Sequence, residues 1–71
     1  MNVTDVLGKK VLDKDAISLG KVEDLVVNTS TWIVSHIVVK MGLIKKASVA
    51  VDKIEKVGDE VFLNVAKDDL K

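Results

Sequence analysis

Leu19-Gly20-Lys21-Val22-Glu23-Asp24-Leu25-Val26-Val27-Asn28-Thr29-Ser30-Thr31-Trp32-Ile33-Val34-Ser35-His36-Ile37-Val38-Val39-Lys40-Met41 decides the fold. It holds two runs dense in Val and Ile, divided by an Asn-Thr-Ser cluster. β-Branched side chains are stiff at χ1 and pack well on a pleated surface, and Asn, Thr and Ser bond locally to turn backbone. Neither run carries the 3.6-residue recurrence of an amphipathic helix. The stretch is therefore predicted to be two antiparallel strands, residues 19–28 and 31–41, joined by a short turn. Working outward, residues 9–13, 47–51 and 60–65 read as further strands. Asp13-Lys14-Asp15-Ala16 is a turn, and Gly58-Asp59 leads into the last strand. Between them Asp52-Lys53-Ile54-Glu55 has the spacing of a capping box, which predicts one helical turn before the last strand. Val51, Ile54 and Val57 would then lie on one side of that turn and plug an end of the fold. The expectation is a mostly β protein: five or six antiparallel strands curled into a small barrel, since closure removes unpaired edges.

Seventy-one residues make one domain, 1–71, with its core over about residues 3–65 and a tail, 66–71, expected to fray. A domain of this size buries only about 60% of the surface its unfolded chain exposes. Without Cys there is no disulfide to supplement the core, so self-association is expected, and a cytoplasmic setting fits. Eleven Lys balance eleven Asp and Glu, and Arg is absent. Direct nucleic-acid binding is not expected, because phosphate recognition favours clustered charge, bidentate Arg and stacking aromatics. The pairs Lys9-Lys10 and Lys45-Lys46 read as solvated residues. The start, Met1-Asn2-Val3-Thr4-Asp5, lacks a basic leader, and no apolar stretch approaches the roughly 18 residues of a membrane helix. Transmembrane and peripheral membrane contacts are accordingly not expected.

No chemical constellation emerges. Ser35 and His36 are neighbours on a predicted strand, where alternate side chains take opposite faces, so they are not expected to form a nucleophile and base. One His and no Cys leave only carboxylates for a metal. Asp13, Asp15 and Asp24 match three positions of a calcium-loop spacing, but Ile17 and Ser18 occupy places that need an oxygen ligand and a Gly. Phosphate-cradling Gly strings are absent. The chain reads as a non-enzyme without catalytic residues, metal or cofactor.

Surplus apolar surface is the alternative source of function. Alternation along the third strand sets Ile33, Ser35, Ile37, Val39 and Met41 on one face and Trp32, Val34, His36, Val38 and Lys40 on the other. Both sets are largely apolar, and a small barrel has one interior. Trp32, Val34, Val38 and, from the last strand, Phe62 are the predicted protein interface, aromatics being the usual anchors. The loop Gly42-Leu43-Ile44-Lys45-Lys46 is a second candidate, unless Leu43 and Ile44 fold over the barrel end. Gly8 and Gly20 are expected at backbone bends and Gly58 at a left-handed turn. Asp24, acidic within an apolar strand, is expected to bond backbone amides.

The order and spacing of Leu7-Gly8-Lys9-Lys10-Val11, of Leu19-Gly20-Lys21-Val22-Glu23-Asp24, and of Val51-Asp52-Lys53-Ile54-Glu55-Lys56-Val57-Gly58-Asp59-Glu60-Val61 resemble the PRC-barrel domain family over roughly residues 3–65. That family includes the cytoplasmic domain of the photosynthetic reaction-centre H subunit, the C-terminal domain of a ribosome-maturation factor, and short stand-alone proteins common in archaea. Asp15-Ala16 stands where the family usually has Gly in the first turn, and Ala50-Val51 where it often has Pro. The resemblance implies an adaptor that docks onto a larger assembly, archaeal cell-division machinery among the possibilities, as a homodimer or within a complex. A ribosome or RNA-processing assembly factor is the alternative it implies.

Overall fold

The computed structural model describes residues 1–70. One turn of helix, α1 (Val3–Val6), precedes β1 (Lys10–Leu12) and the two long strands β2 (Ser18–Asn28) and β3 (Ile33–Met41). β4 (Lys45–Ala50) leads through a 3-10 turn (Val51–Lys53) into β5 (Ile54–Val57) and β6 (Val61–Leu63), and a second 3-10 turn (Lys67–Asp69) closes the chain. The six strands form one sheet in the order β4-β3-β2-β1-β6-β5.

Two details of the expected barrel are corrected. Pairing is antiparallel except between β1 and β6, which run parallel, with Val11 opposite Val61 and Leu12 opposite Phe62. The last hairpin enters the sheet at its far edge through β5, so β6 returns beside β1 in the direction of β1 itself. The edges β4 and β5 are not paired to each other, so the sheet curls without closing. Only three residues join these edges, which keeps them near one another while the 3-10 turn interrupts the strand conformation that pairing needs.

That turn also differs from the capping-box expectation. Asp52 makes no side-chain cap bond, and Ile54 and Glu55 already belong to β5. Ladder bonds to β6 satisfy this backbone in place of a helix N-terminus. Ile54 and Val57 do pack on the core as expected, whereas Val51 stays exposed. Helix α1 had no strong sequence signal. Asp5 caps it by accepting from the Asn2 amide at 2.8 Å.

Inside the curl lie Val11, Leu19, Val22, Ile37, Val39, Val49, Val61 and Leu63. Ile37 faces Val49 and Val39 faces Val22 across the ladders, so the inward half of β3 is the one alternation assigned to that face. Gly20 lets β2 cross β3 closely. Its φ is +151°, and a Cβ there would stand 2.0 Å from the Lys40 carbonyl oxygen. Gly58, expected in a left-handed turn, does not have a positive φ; its amide bonds the Glu60 carbonyl at 2.9 Å in the β5–β6 hairpin.

One polar side chain is buried with the core. Asp13 is 2% exposed, and its Oδ1 accepts from the amides of Asp15 at 2.8 Å and Ile17 at 2.9 Å. Its Oδ2 accepts from the Lys67 amide at 3.1 Å, and the Lys14 amide bonds the Val65 carbonyl at 3.0 Å. These bonds, the one from Ile17 foremost, hold the carboxyl below its ordinary pKa against the opposing effect of burial. The tail is therefore not frayed as far as Leu70. It is latched by a carboxylate 54 residues upstream and lays Leu70 against the core.

Candidate interaction surface

The lengths of β2 and β3 create a projecting arm. β1 covers β2 only through Lys21, with two more bonds at Val22, whose amide bonds the Lys9 carbonyl and whose carbonyl accepts from the Gly8 amide. β4 covers β3 only from His36 onward. Beyond those points the two strands have each other alone, pairing Val27 with Val34 and Asn28 with Ile33. The arm thus has free strand edges on both sides, which backbone groups of another chain can meet.

Its tip is stiffened from within. Asn28 Oδ1 accepts from the amides of Ser30 at 2.9 Å and Thr31 at 3.3 Å, which is the turn chemistry expected of that cluster. The Trp32 amide returns to the Asn28 carbonyl at 2.6 Å, and the Ile33 amide bonds Thr31 Oγ1 at 3.3 Å. Closing the loop this way puts Trp32 at φ +59°, a left-handed conformation that bulky residues rarely take. Trp32 is nevertheless 76% exposed, and Ile33 beside it 63%. Val26 and Val27 are also exposed.

The four residues predicted to share a patch are divided. Trp32 stands at the arm tip, and Val34 and Val38 are half-buried along β3. Phe62 lies on β6, three strand positions away in the sheet order, at roughly 5 Å per step. It is half-buried between two shallow clefts of about 550 and 580 Å³, with Lys56 Nζ 5.7 Å from its ring centroid. Ile33, assigned to the inward face, completes the tip instead. It lies beyond the register shift that interrupts the alternation of β3, and the core does not extend that far along the arm.

The arm also alters the Ser35–His36 geometry. The register shifts between Val26 and Val27, so strict alternation fails on the opposing stretch of β3. His36 Nδ1 lies 2.8 Å from Ser35 Oγ, contrary to the expectation of opposite faces. Ser35 Oγ also lies 3.3 Å from the Val26 carbonyl, which competes for the hydroxyl proton. No acidic side chain bonds the imidazole among the described residues, so the pair lacks the orienting third group that activates a Ser nucleophile. Asp24 behaves as expected: Oδ1 accepts from the Leu25 amide at 2.8 Å, at an exposed bulge. Among the described residues no three His, Cys, Asp or Glu gather as metal ligands, and no helix is long and apolar enough to cross a membrane.

A family model described as PRC-barrel domain matches residues 1–70 of the 71. No curated protein matches the chain.

Proposed function

We propose that this chain, which belongs to the PRC-barrel domain family, is a non-catalytic protein-interaction module that docks through the β2–β3 arm, by self-association and onto a larger protein assembly. One observation carries the reading: an indole three-quarters exposed on a backbone conformation that costs on the order of 1–3 kcal/mol. Neither the core nor the turn chemistry uses that side chain, so its placement supports a role in contact with another molecule.

Burying the exposed parts of Trp32 and Ile33 would remove about 300 Å² of apolar surface, worth roughly 7 kcal/mol before costs. Association costs on the order of 4–15 kcal/mol, so the tip alone holds a partner weakly. The free edges of the arm supply the remainder as added backbone ladder bonds. Sedimentation velocity and cross-linked capture with native and Trp32→Ala/Ile33→Ala chains test this. The double variant should retain its fold, sediment as a smaller species and lose its captured protein partners. Unchanged mass together with unchanged capture would reject the arm as the contact.

A further inference from the structure

The opposite end of β3 carries a different surface. Leu43 is 93% exposed and Ile44 95%, at a turn that pivots on Gly42 with φ +78°. They do not fold over the sheet end, since the turn directs them outward and Met41 and Leu70 already pack at that end of the core. Ile17, in the β1–β2 turn at the same end of the sheet, is 52% exposed.

Immediately behind this turn the strand register aligns four lysines. Lys10 pairs with Lys21, Lys21 with Lys40 and Lys40 with Lys46, one from each of four adjacent strands, and all four are exposed. Like charges directly opposite one another across a ladder are destabilising. A sequence of zero net charge has therefore collected positive charge in one row at a cost to its own sheet. Glu23 bonds Lys46 at 2.8 Å, and Asp68 lines the groove beside Lys45 and Lys67, so the row is partly and not fully neutralised.

We propose that this end is a contact for an anionic lipid surface, with Leu43 and Ile44 entering the interface and the lysine row facing the headgroups. Geometry favours lipid over the other polyanions. Two adjacent aliphatic side chains on a protruding turn suit a fluid apolar layer, whereas nucleic acid would need several stacking aromatics beside the row; Trp32 is at the far end of β3, and Phe62, on β6 past the Lys10 end of the row, is half-buried with Lys56 over its ring. The Lys40–Lys46 rung sits one residue behind the Met41–Lys45 rung that closes the hairpin. When the tip enters by the roughly 5–10 Å typical of interfacial segments, the row comes within a Debye length of the headgroups. Apolar insertion and a basic patch are the two signals that together hold a peripheral protein.

Flotation of the full chain with vesicles tests the assignment, using phosphatidylcholine alone or mixed with phosphatidylserine, at low and high salt. The chain should float with the phosphatidylserine vesicles at low salt only, and not with phosphatidylcholine alone. Lys21→Gln/Lys40→Gln should lower partitioning by roughly twenty-five-fold, at about five-fold per lysine near an anionic surface. Leu43→Ser/Ile44→Ser should lower it by at least ten-fold or so, and circular dichroism checks that both variants remain folded. Trp32→Ala should float like the native chain, which keeps this result separate from the arm. The assignment is overturned if the native chain does not float with phosphatidylserine, if serine at 43 and 44 leaves flotation unchanged, or if soluble polyglutamate binds and vesicles do not.

Discussion

Replacing Gly20 by Ala should come close to abolishing folding, and the size of the effect follows from one close approach. A Cβ on residue 20 would lie 2.0 Å from the Lys40 carbonyl oxygen, 2.9 Å from its carbon and 3.3 Å from the Met41 Cα, all backbone atoms of β3. Ordinary carbon–oxygen contact would require the strands to separate by well over 1 Å there, against a normal spacing of about 4.8 Å. Ladder bonds near the Lys21–Lys40 rung would stretch or break, at roughly 1 kcal/mol each. A φ of +151° adds on the order of 1–3 kcal/mol for a residue with a side chain. Misalignment of Val22 with Val39 brings the sum to about 4–6 kcal/mol. The whole domain is stable by roughly 4–11 kcal/mol, from about 0.05–0.15 kcal/mol per residue. Gly8→Ala is the control, because φ is +84° there but no atom lies within 4 Å of the added carbon. It should cost about 1 kcal/mol and lower Tm by roughly 4–8 °C. Thermal and urea melts followed by far-UV circular dichroism compare the two. If Gly20→Ala melts alongside Gly8→Ala, the close crossing of β2 and β3 does not exist in solution and the reasoning fails.

Two further outcomes follow from the β1–β2 turn. Because Asp13 titrates below its ordinary value in the folded protein, the stability its carboxylate contributes is present above the unfolded value and disappears as pH falls through the folded one. Acidification below roughly pH 4 should therefore lower the native Tm more than that of Asp13→Asn, which should already be less stable at neutral pH and exchange the Lys67 amide faster; parallel Tm-against-pH curves would contradict the latch. Ala16 holds φ +62° on the turn where the resembled family usually has Gly. Ala16→Gly relieves about 1 kcal/mol of left-handed strain and returns about half of that to the freer unfolded chain, so Tm should rise by a few degrees, and a fall would show that the turn is not strained.

How far the sequence discloses this molecule depends on whether a feature is local. The hairpin from Leu19 to Met41 is legible because residue type, alternation and turn chemistry agree over consecutive positions, and Ile37 and Val39 face inward as their parity requires. β5 is not legible, since Val51, Ile54 and Val57 fit a helical turn as well as a strand and only pairing with β6 decides between them. The Ser35–His36 contact fails to appear because a register shift without Gly leaves no mark in the sequence. The Asp13 latch joins residues 54 apart and has no signature at either end.

The lysine row is the sharpest case of this limit. Positions 10, 21, 40 and 46 follow no period, and a net charge of zero argues against a charged surface. Only the pairing of four strands turns those numbers into one line. Both surfaces also depend on β3, whose nine residues span about 30 Å between an aromatic tip and an aliphatic one. Strand pairing is thus what converts a composition of zero net charge into two separated exposed surfaces of different chemistry. A substitution that slips the β2–β3 register by one residue should disable both at once, whereas substitutions at either tip should disable only one.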